Sequence, residues 1–403
     1  MIPGRRSDAR HSARAARPDE LDDLVDLLCE AFDLPFGPAR DLVRADPYFD
    51  LSRKRVLVGE DGRVLSCLTV VEQKMRIGDA LVPIAGIAGV ATREAHRGQG
   101  LATELLRETM HWLRGEGYGL AALLAADPRC YRRLGWEVAG RHFRLTAPAS
   151  GVPASAERAR VRTASREDIA AISRLYDECA GGATGACERD AKRWDYVWEH
   201  AGDRFVYAGE GIEGYALAER RGRDGDEHVR VGELVARTDR ARAGLASALA
   251  FGADGAELRY TAGRRAVEES GLLVVGARVD VLPGAMFRVL DLPRALSALA
   301  PNLRGWSGSL VCHMSDEVMA AGVGRIACIE GDGSAVTIRE APPTAHADLT
   351  GDAAAWSALL PGGASLEAAC ATGRIGPRSS AIVSAAATLF PWRDPAIPAP
   401  DYF

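Results

Sequence analysis

Paired cysteines and long apolar runs are missing from the sequence, and neither sign of charge dominates it. The eight cysteines form no CxxC pair and show no His/Cys spacing typical of a metal site, so we expect free thiols, no metal and a cytoplasmic location. No uninterrupted apolar run is long enough to span a bilayer, and no apolar core follows the arginines of the N-terminus. The sequence therefore predicts a protein that does not act within a membrane.

The balance of charge narrows the class of partner. With 50 basic against 55 acidic residues, the formal net charge is -5, which argues against a general affinity for nucleic acid or anionic membranes. A local acidic pocket for a cationic substrate stays open. The 403 residues, 47% of them hydrophobic, are enough for about two to four domains with separate cores.

The most informative stretch, residues 90–102, reads Val-Ala-Thr-Arg-Glu-Ala-His-Arg-Gly-Gln-Gly-Leu-Ala. Apolar residues before it predict a buried strand, and apolar residues at helical spacing after it predict a helix. Gly98 and Gly100 allow backbone N–H groups to approach a ligand without a Cβ in the way. The positive end of the following helix and the charge of Arg97 both favour an anion. The stretch therefore predicts an anion site, with an ordinary strand-to-helix turn as the alternative.

Two motifs resemble those of a known family. The segment Arg97-Gly98-Gln99-Gly100-Leu101-Ala102 meets the pattern Arg/Gln-x-x-Gly-x-Gly/Ala of the acetyl-coenzyme A pyrophosphate loop in GCN5-related N-acetyltransferases. The segment Tyr131-Arg132-Arg133-Leu134-Gly135-Trp136 is similar to the Tyr-x-x-x-Gly-Phe segment of that family. It follows an apolar strand that we predict over residues 120–126. The resemblance implies the acetyltransferase fold, an α/β (α+β) architecture.

The same order of elements is repeated further along the chain. Residues 206–210 repeat the order of residues 56–60, and a second Gly-Leu-Ala follows at residues 244–246. However, Ala241 and Arg242 stand where the first copy has its arginine and its first glycine. We therefore predict a degenerate acetyltransferase-like domain that packs against the first domain and binds no cofactor.

The last part of the chain resembles the sterol carrier protein fold. The resemblance lies in Ala-Asp-Leu-Thr at residues 347–350, in the helix around Trp356 and in Gly373-Arg374-Ile375. Both a lipid cavity and a solid structural domain fit this pattern. The predicted boundaries are a loose tail over 1–12, a catalytic domain over 13–150, a degenerate copy over 155–290 and a sterol carrier protein-like α/β domain over 291–403.

The order of these domains resembles the enhanced intracellular survival (Eis) family of acetyltransferases. The resemblance implies acetyl transfer from acetyl-coenzyme A to primary amines, with aminoglycosides, protein lysines and polyamines as acceptors, by a homo-hexamer. It implies that the backbone of Val90 and Thr92 binds the pantetheine arm, and that residues 97–102 bind the pyrophosphate. Phe32 and Phe36 would line the amine pocket or, as the alternative, belong to the core.

The resemblance also implies an acid and a base for direct transfer in a ternary complex. Tyr131 stands where the family has a tyrosine that protonates the departing thiolate, and packing against Trp136 is the alternative role. Cys130 would offer a covalent route, but no histidine lies near it in the sequence. The general base would be the terminal carboxylate of Phe403. The dozen residues that end there can span on the order of 35 Å, at about 3.1 Å per residue, unless the end is disordered.

Two other classes of function stay open. A non-catalytic acyl-coenzyme A sensor would keep the loop but need neither Tyr131 nor Phe403. A carrier of apolar ligands would act through the last domain. Among enzymes, protein N-myristoyltransferases also pair two such folds and use a terminal carboxylate, so a long-chain acyl donor is a rival to acetyl.

Overall fold

The computed structural model describes residues 12–37, 40, 43, 48–180, 183–222, 226–319, 325–342 and 344–402. The predicted loose tail, apart from residue 12, and the terminal Phe403 lie outside these ranges. The described part of the chain contains three β-sheets with helices packed on their faces. This mixed α/β architecture confirms the predicted fold class.

The first sheet carries the predicted anion loop. Its strands are β1 (Arg14–Ala15), β2 (Lys54–Val58), β3 (Val64–Ile77), β4 (Ala80–Thr92), β5 (Leu120–Leu123), β6 (Glu137–Val138) and a late strand, β14 (Met286–Val289). In the order β1–β2–β3–β4–β5–β14–β6, β4 and β5 run parallel and the other neighbours run antiparallel.

The helices α1 (Leu21–Phe32), α2 (Leu101–Gly115) and the short α3 (Arg129–Arg132) accompany this sheet. Side chains alternate between the two faces of a strand. Leu57 of β2 therefore joins the core under α2, whereas its neighbour Val56 joins the core under α1. The two longer helices thus cover opposite faces of the first sheet.

The second sheet repeats this plan. Its strands are β7 (Arg141–Pro148), β8 (Val161–Thr163), β9 (Asp203–Ala208), β10 (Ile212–Arg221), β11 (His228–Ala236), β12 (Glu257–Ala262) and β13 (Arg278–Pro283), in the order β13–β7–β12–β11–β10–β9–β8. Its helices are α4 (Ile169–Ala180), α5 (Ala191–His200), α6 (Asp239–Gly252) and α7 (Arg264–Glu268). β11 and β12 run parallel and are joined by α6, as β4 and β5 are joined by α2. The internal repeat inferred from sequence is therefore a repeat of structure.

The two sheets exchange strands. β7, which lies inside the range 13–150, pairs with β12 and β13 of the second sheet. β14, which lies inside the range 155–290, pairs with β5 and β6 of the first sheet. Local sequence patterns report whether a segment is a strand but not which distant strand it pairs with, so the exchange could not be read from them. The sheets therefore do not follow the predicted domain boundaries: β7 and β14 each lie in the predicted range of one domain and in the sheet of the other.

The third sheet belongs to the C-terminal domain. Its strands are β15 (Ser307–Ser315), β16 (Ile326–Asp332), β17 (Val336–Glu340), β18 (Leu349–Asp352) and β19 (Ile375–Pro377), in the order β17–β16–β15–β18–β19. Its helices are α8 (Leu292–Ala298), α9 (Ala353–Leu359), α10 (Leu366–Ala371) and α11 (Ser380–Ala386). Met75 and Phe287 of the first sheet share one apolar core with Trp356 of this domain. The first and third units are therefore packed together through a continuous core.

The segment after residue 389 leaves the third domain without forming a long helix. It has a single described turn of 3-10 helix, Ala399–Asp401, and four prolines between residues 391 and 400 favour its extended course. Within the described ranges, no helix is both long and apolar enough to cross a membrane.

Candidate active site

A gap opens where the two parallel strands of the first sheet stop pairing. The pairing of β4 with β5 runs from Ile84 opposite Leu120 to Ile87 opposite Leu123, while β4 continues to Thr92. Just beyond, Gly89 has a φ of 56° and forms part of a bulge opposite Leu68. A bulge bends its strand. The end of β4, including Val90 and Thr92, is thus left with a backbone edge facing the gap.

The glycine loop follows directly and opens α2. Gly98 and Gly100 have φ values of 78° and 88°, and a Cβ on either would meet no atom within 4 Å. Glycine is therefore required here by backbone conformation, not by lack of room. Gly100 is the N-cap and provides no capping side chain, so the first-turn N–H groups of α2 keep their capacity to bind an anion.

Two arginines stand at this helix end. Arg97 is exposed and its Nε donates a hydrogen bond of 3.3 Å to the carbonyl of Thr92. Arg133 is also exposed and its Nη2 donates a bond of 2.5 Å to Oγ1 of Thr103, in the first turn of α2. Sequence reasoning gave Arg133 no role, because it occupies an unspecified position of the tyrosine motif and meets α2 only in the folded chain.

The start of the loop is fixed to α1 by a buried arginine. Arg93 donates hydrogen bonds of 2.7 Å to Asp26 and 2.9 Å to Glu30, and it also pairs with Asp23. Glu30 accepts a further bond of 2.6 Å from the backbone of Glu94, and this bond, together with Arg93, lowers the pKa of its carboxyl. Acidic residues of α1 therefore hold the loop in position rather than forming a free acidic patch.

Tyr131 lies on α3 and packs against the core under α2. Its ring packs edge-on to the buried Trp136, with ring centroids 6.4 Å apart. The ring therefore makes the contact that the alternative role of Tyr131 requires. Its hydroxyl has no hydrogen-bond partner among the residues described. Burial raises the pKa of the phenol above its usual value, so the hydroxyl keeps its proton at neutral pH and can donate it.

The two phenylalanines predicted for the amine pocket are exposed at the end of α1. Phe32 is 50% exposed and Phe36 is 41% exposed, and the neighbouring Leu34, which sequence reasoning missed, is 44% exposed. These values place both rings outside the core of the described chain. Neither phenylalanine therefore takes the core role that was the alternative.

One face of β3 is left partly open between α1 and the third domain. On this face, Cys67 is covered by α1 and Met75 lies in the core shared with the third domain. The positions between them are Thr69, Val71 and Gln73, which alternation places on the same face. Nε2 of Gln73 donates a 3.2 Å hydrogen bond to the carbonyl of Asp401. The C-terminal segment therefore reaches the first sheet at the edge of this open strip.

The corresponding helix start in the second copy is closed. Thr238 caps α6, its Oγ1 accepting a 3.2 Å bond from the backbone of Ala241. Ala241 is fully buried, and Arg242 pairs with Asp239 of the same turn. A side chain thus satisfies the helix end that in the first copy stays available, as expected for a degenerate copy.

Comparison with known proteins gives the class of each domain. Family models match residues 12–139 and 185–289, each as an acetyltransferase (GNAT) domain, and residues 292–398 as a sterol carrier protein domain. The N-acetyltransferase Eis of Mycobacterium tuberculosis is 28% identical over 326 residues, which are 76% of this chain and 77% of that protein.

Solved structures match almost the full length. A GCN5-related N-acetyltransferase from Anabaena variabilis has a TM-score of 0.82 at 17% identity, and Eis1 from Mycobacterium abscessus has a TM-score of 0.71 at 17% identity. Each match covers 98% of this chain and 100% of the other. At these identities the structural matches establish the fold alone.

Together with the family models, these findings define an N-acetyltransferase of the GCN5-related class that uses acetyl-coenzyme A as co-substrate. It has two acetyltransferase domains followed by a sterol carrier protein domain, and it is similar to the N-acetyltransferase Eis over about three quarters of its length.

Proposed function

We propose that the chain acetylates primary amines, with aminoglycosides as acceptors and protein lysines and polyamines as further candidates. Acetyl-coenzyme A would lie in the gap between β4 and β5. The backbone of Val90 and Thr92 would bind its pantetheine arm, and residues 97–102 would bind its pyrophosphate. The observation that carries this placement is the uncapped start of α2, with two left-handed glycines and the exposed Arg97 beside it.

The reaction we propose is a direct transfer within a ternary complex. The neutral amine attacks the carbonyl carbon of the thioester, the carbon–sulfur bond breaks, and the thiolate takes the proton of the Tyr131 hydroxyl. The carboxylate of Phe403 takes the proton that the amine loses and later releases it to solvent, and the phenolate of Tyr131 recovers a proton from solvent. A free hydroxyl and a raised pKa support Tyr131 in this role.

The support for the base comes from the residues just before it. The hydrogen bond between Gln73 and Asp401 brings the described end of the tail to the open strip of β3. Phe32 and Phe36, whose rings are exposed, would contact the acceptor. We further propose that the active assembly is a homo-hexamer, which light scattering of the purified protein would test.

A panel of amines with coenzyme A thiol release as the readout tests the acceptor class. Release with aminoglycosides, at a rate above that with polyamines and lysine peptides, is the expected result. The same panel with a long-chain acyl donor separates the myristoyltransferase-like alternative. Absence of release with every amine would remove the proposed acceptors.

The base is tested by changing only the end of the chain. A protein that lacks Phe403, or that carries a C-terminal extension, should fold and bind coenzyme A normally but acetylate slowly. An extension at the N-terminus is the matched control and should leave the rate unchanged. Full activity of either C-terminal variant would remove the terminal carboxylate from the mechanism.

A further inference from the structure

The end of the C-terminal tail is bound by a buried ion pair of the second domain. Arg189 donates hydrogen bonds of 2.8 Å from Nε to Oδ1 of Asp401 and of 3.0 Å from Nη2 to Oδ2. Both side chains are 0% exposed. The hydroxyl of Tyr176, on α4, lies 3.2 Å from Oδ2 of the same carboxylate and shares its single proton between that oxygen and the carbonyl of Cys187, at 2.8 Å. Asp401 is therefore an anchored residue two positions before the chain end.

The arginine is itself held rigidly from the other side. Nη1 and Nη2 of Arg189 donate bonds of 2.9 and 2.8 Å to the carboxylate of Glu233, which also accepts a 2.7 Å bond from the hydroxyl of Tyr215. The guanidinium lies over the ring of Tyr176, 3.9 Å from its centroid. Burial alone would lower the pKa of Arg189, but the carboxylates of Glu233 and Asp401 raise it well above its usual value. The arginine stays charged and keeps one orientation.

Backbone contacts fix the course of the tail as well. Nη2 of Arg193 donates a 2.9 Å bond to the carbonyl of Pro400. Further back, the backbone N–H of Ala396 donates a 3.0 Å bond to the carbonyl of Thr184. At Gly185, a Cβ would lie 2.2 Å from the oxygen of Ala396, so the tail passes too close for any side chain there. The tail is thus seated along a defined track of the second domain.

The side chains that bind the tail, which we call its seat, lie at a particular place in the repeated fold. Glu233 lies on β11, Tyr215 on β10 and Tyr176 on α4, the elements that correspond to β4, β3 and α1 of the first copy. In the first copy, the face between those elements is the open strip beside the acetyl-transfer gap. In the second copy, the same face is filled by the ion pair and the tail. The copy that lost its anion site thus uses its equivalent face to bind the chain's own C-terminus.

We propose that the second domain positions the C-terminal carboxylate for catalysis, with Arg189 and Glu233 as positioning residues that act through Asp401. This inference rests on the proposed role of the Phe403 carboxylate. Two extended residues span about 7 Å, so an anchored Asp401 confines the terminal carboxylate to a small volume. Without the anchor, the carboxylate would sample a far larger volume and meet the amine less often.

The variant Asp401→Asn in the full-length enzyme tests this inference. It keeps the shape of the side chain but removes the charge that Arg189 binds. We expect kcat to fall about tenfold or more with the KM for acetyl-coenzyme A unchanged, and the melting temperature to fall because the buried Arg189 loses one of its two carboxylate partners. Carboxypeptidase should release the C-terminal residues about tenfold faster or more, because the tail leaves its seat more often.

Asp394→Asn is the matched control. Asp394 is also a tail aspartate, but its partners Arg141, at 3.0 Å, and Arg264, at 3.7 Å, are 40% and 45% exposed, so the loss of its charge should leave kcat and the release rate near the parent values. A second variant, Tyr215→Phe, keeps the ring and removes one bond to Glu233. It should change both readouts in the same direction by about two- to fivefold, and it serves if Asp401→Asn does not fold.

Each outcome separates the two proposals. Faster release together with a lower kcat supports the positioning role. An unchanged release rate in Asp401→Asn and Tyr215→Phe overturns it, whatever happens to kcat. Faster release with an unchanged kcat shows that the tail is anchored but not needed for turnover, which overturns both the positioning role and the terminal carboxylate as base.

Discussion

The two acetyltransferase-like domains of this chain share a fold but differ at one helix start. In the first, the positive end of α2 is left free by Gly100, and in the second the same end of α6 is capped by Thr238. Both parallel strand pairs, both connecting helices and their order are retained. The comparison shows that a helix start can change from uncapped to capped through a few residues at a loop while the surrounding fold persists.

The domains also share a feature that has no part in the chemistry. Arg14 makes two hydrogen bonds, of 2.8 and 2.5 Å, to Glu20. Arg162 makes two, of 2.7 and 2.8 Å, to Asp168. In each copy the arginine lies on the first strand and the acid, six residues later, stands at the start of the first helix. This pair links the first strand to the first helix in both copies. It is retained, whereas the glycine loop differs between them.

The sharpest difference between the domains should appear at Tyr131. Tyr131→Phe removes the proposed proton donor and should lower kcat by roughly 10²-fold or more, with little change in coenzyme A affinity. The corresponding helix of the second copy, α7, contains no tyrosine. Tyr207→Phe in the second domain is the control and should leave kcat unchanged.

The pH dependence follows from the burial of this phenol. Burial raises the pKa of Tyr131 above its usual value, so the donor stays protonated at neutral and moderately alkaline pH. The alkaline fall of kcat in the parent enzyme should therefore not begin below about pH 10 through loss of this proton.

Turnover of Tyr131→Phe within about twofold of the parent would leave the tyrosine with its packing role against Trp136 alone.

A smaller effect is expected at the loop. Arg97→Ala should weaken coenzyme A binding by about 1.5 to 3 kcal/mol, the range for a lost charge-assisted hydrogen bond. Arg242→Ala, the matched change in the second copy, should leave the affinity as it is because Arg242 pairs with its own helix. Titration calorimetry measures both. Equal losses in the two variants would contradict the division of roles between the copies.

The shared arginine–acid pair should give an effect of about 1 kcal/mol on stability. Hydrogen bonding by Arg162 lowers the pKa of Asp168 to about 2. Because the folded-state pKa lies below the unfolded value, the charged acid stabilises the fold above about pH 4, and this contribution is lost as the pH falls towards 2.

Asp168→Asn should therefore lower the free energy of unfolding by about 1 kcal/mol at neutral pH, a usual size for a lost cap. The difference from the parent should shrink between about pH 4 and pH 2. Denaturant titration at several pH values measures it, with Glu20→Gln as the matched variant of the first copy. A difference that is independent of pH would rule out the charge as its source.

No effect is expected on the number of coenzyme A sites when the second copy is changed. Calorimetric titration with coenzyme A should give one site per chain, and Thr238→Ala, which uncaps α6, should not add a second. The reason is that Ala241 and Arg242 provide neither the left-handed glycine nor the free guanidinium of the first loop. A stoichiometry of two would mean that the second copy has kept a cofactor site.

Sequence patterns predicted the features that are local in the chain. The spacing of Arg97, Gly98 and Gly100 predicted an anion site at a helix start, and the alignment of Ala241 and Arg242 with them predicted a second copy that binds no cofactor; both stay predictions. Both results depend on residues within one turn of each other, where backbone conformation is decided by residue type. The fold class and the family were accessible for the same reason.

Contacts between distant segments were not accessible. Nothing in the local sequence marks Arg189 as the partner of Asp401, since the two residues are 212 positions apart. Arg133 near Thr103 and the exposure of Leu34 also depend on tertiary packing. A buried ion pair of this kind looks, in sequence, like ordinary surface charge.

The exchange of β7 and β14 bears on how such a chain could have arisen. Each repeat lends one strand to its neighbour's sheet. Once a tandem duplication has settled into this arrangement, deleting either repeat removes a strand from the one that remains and exposes its unpaired edge. The second copy can therefore persist in a lineage without selection for any activity of its own, because the first copy is structurally incomplete without it.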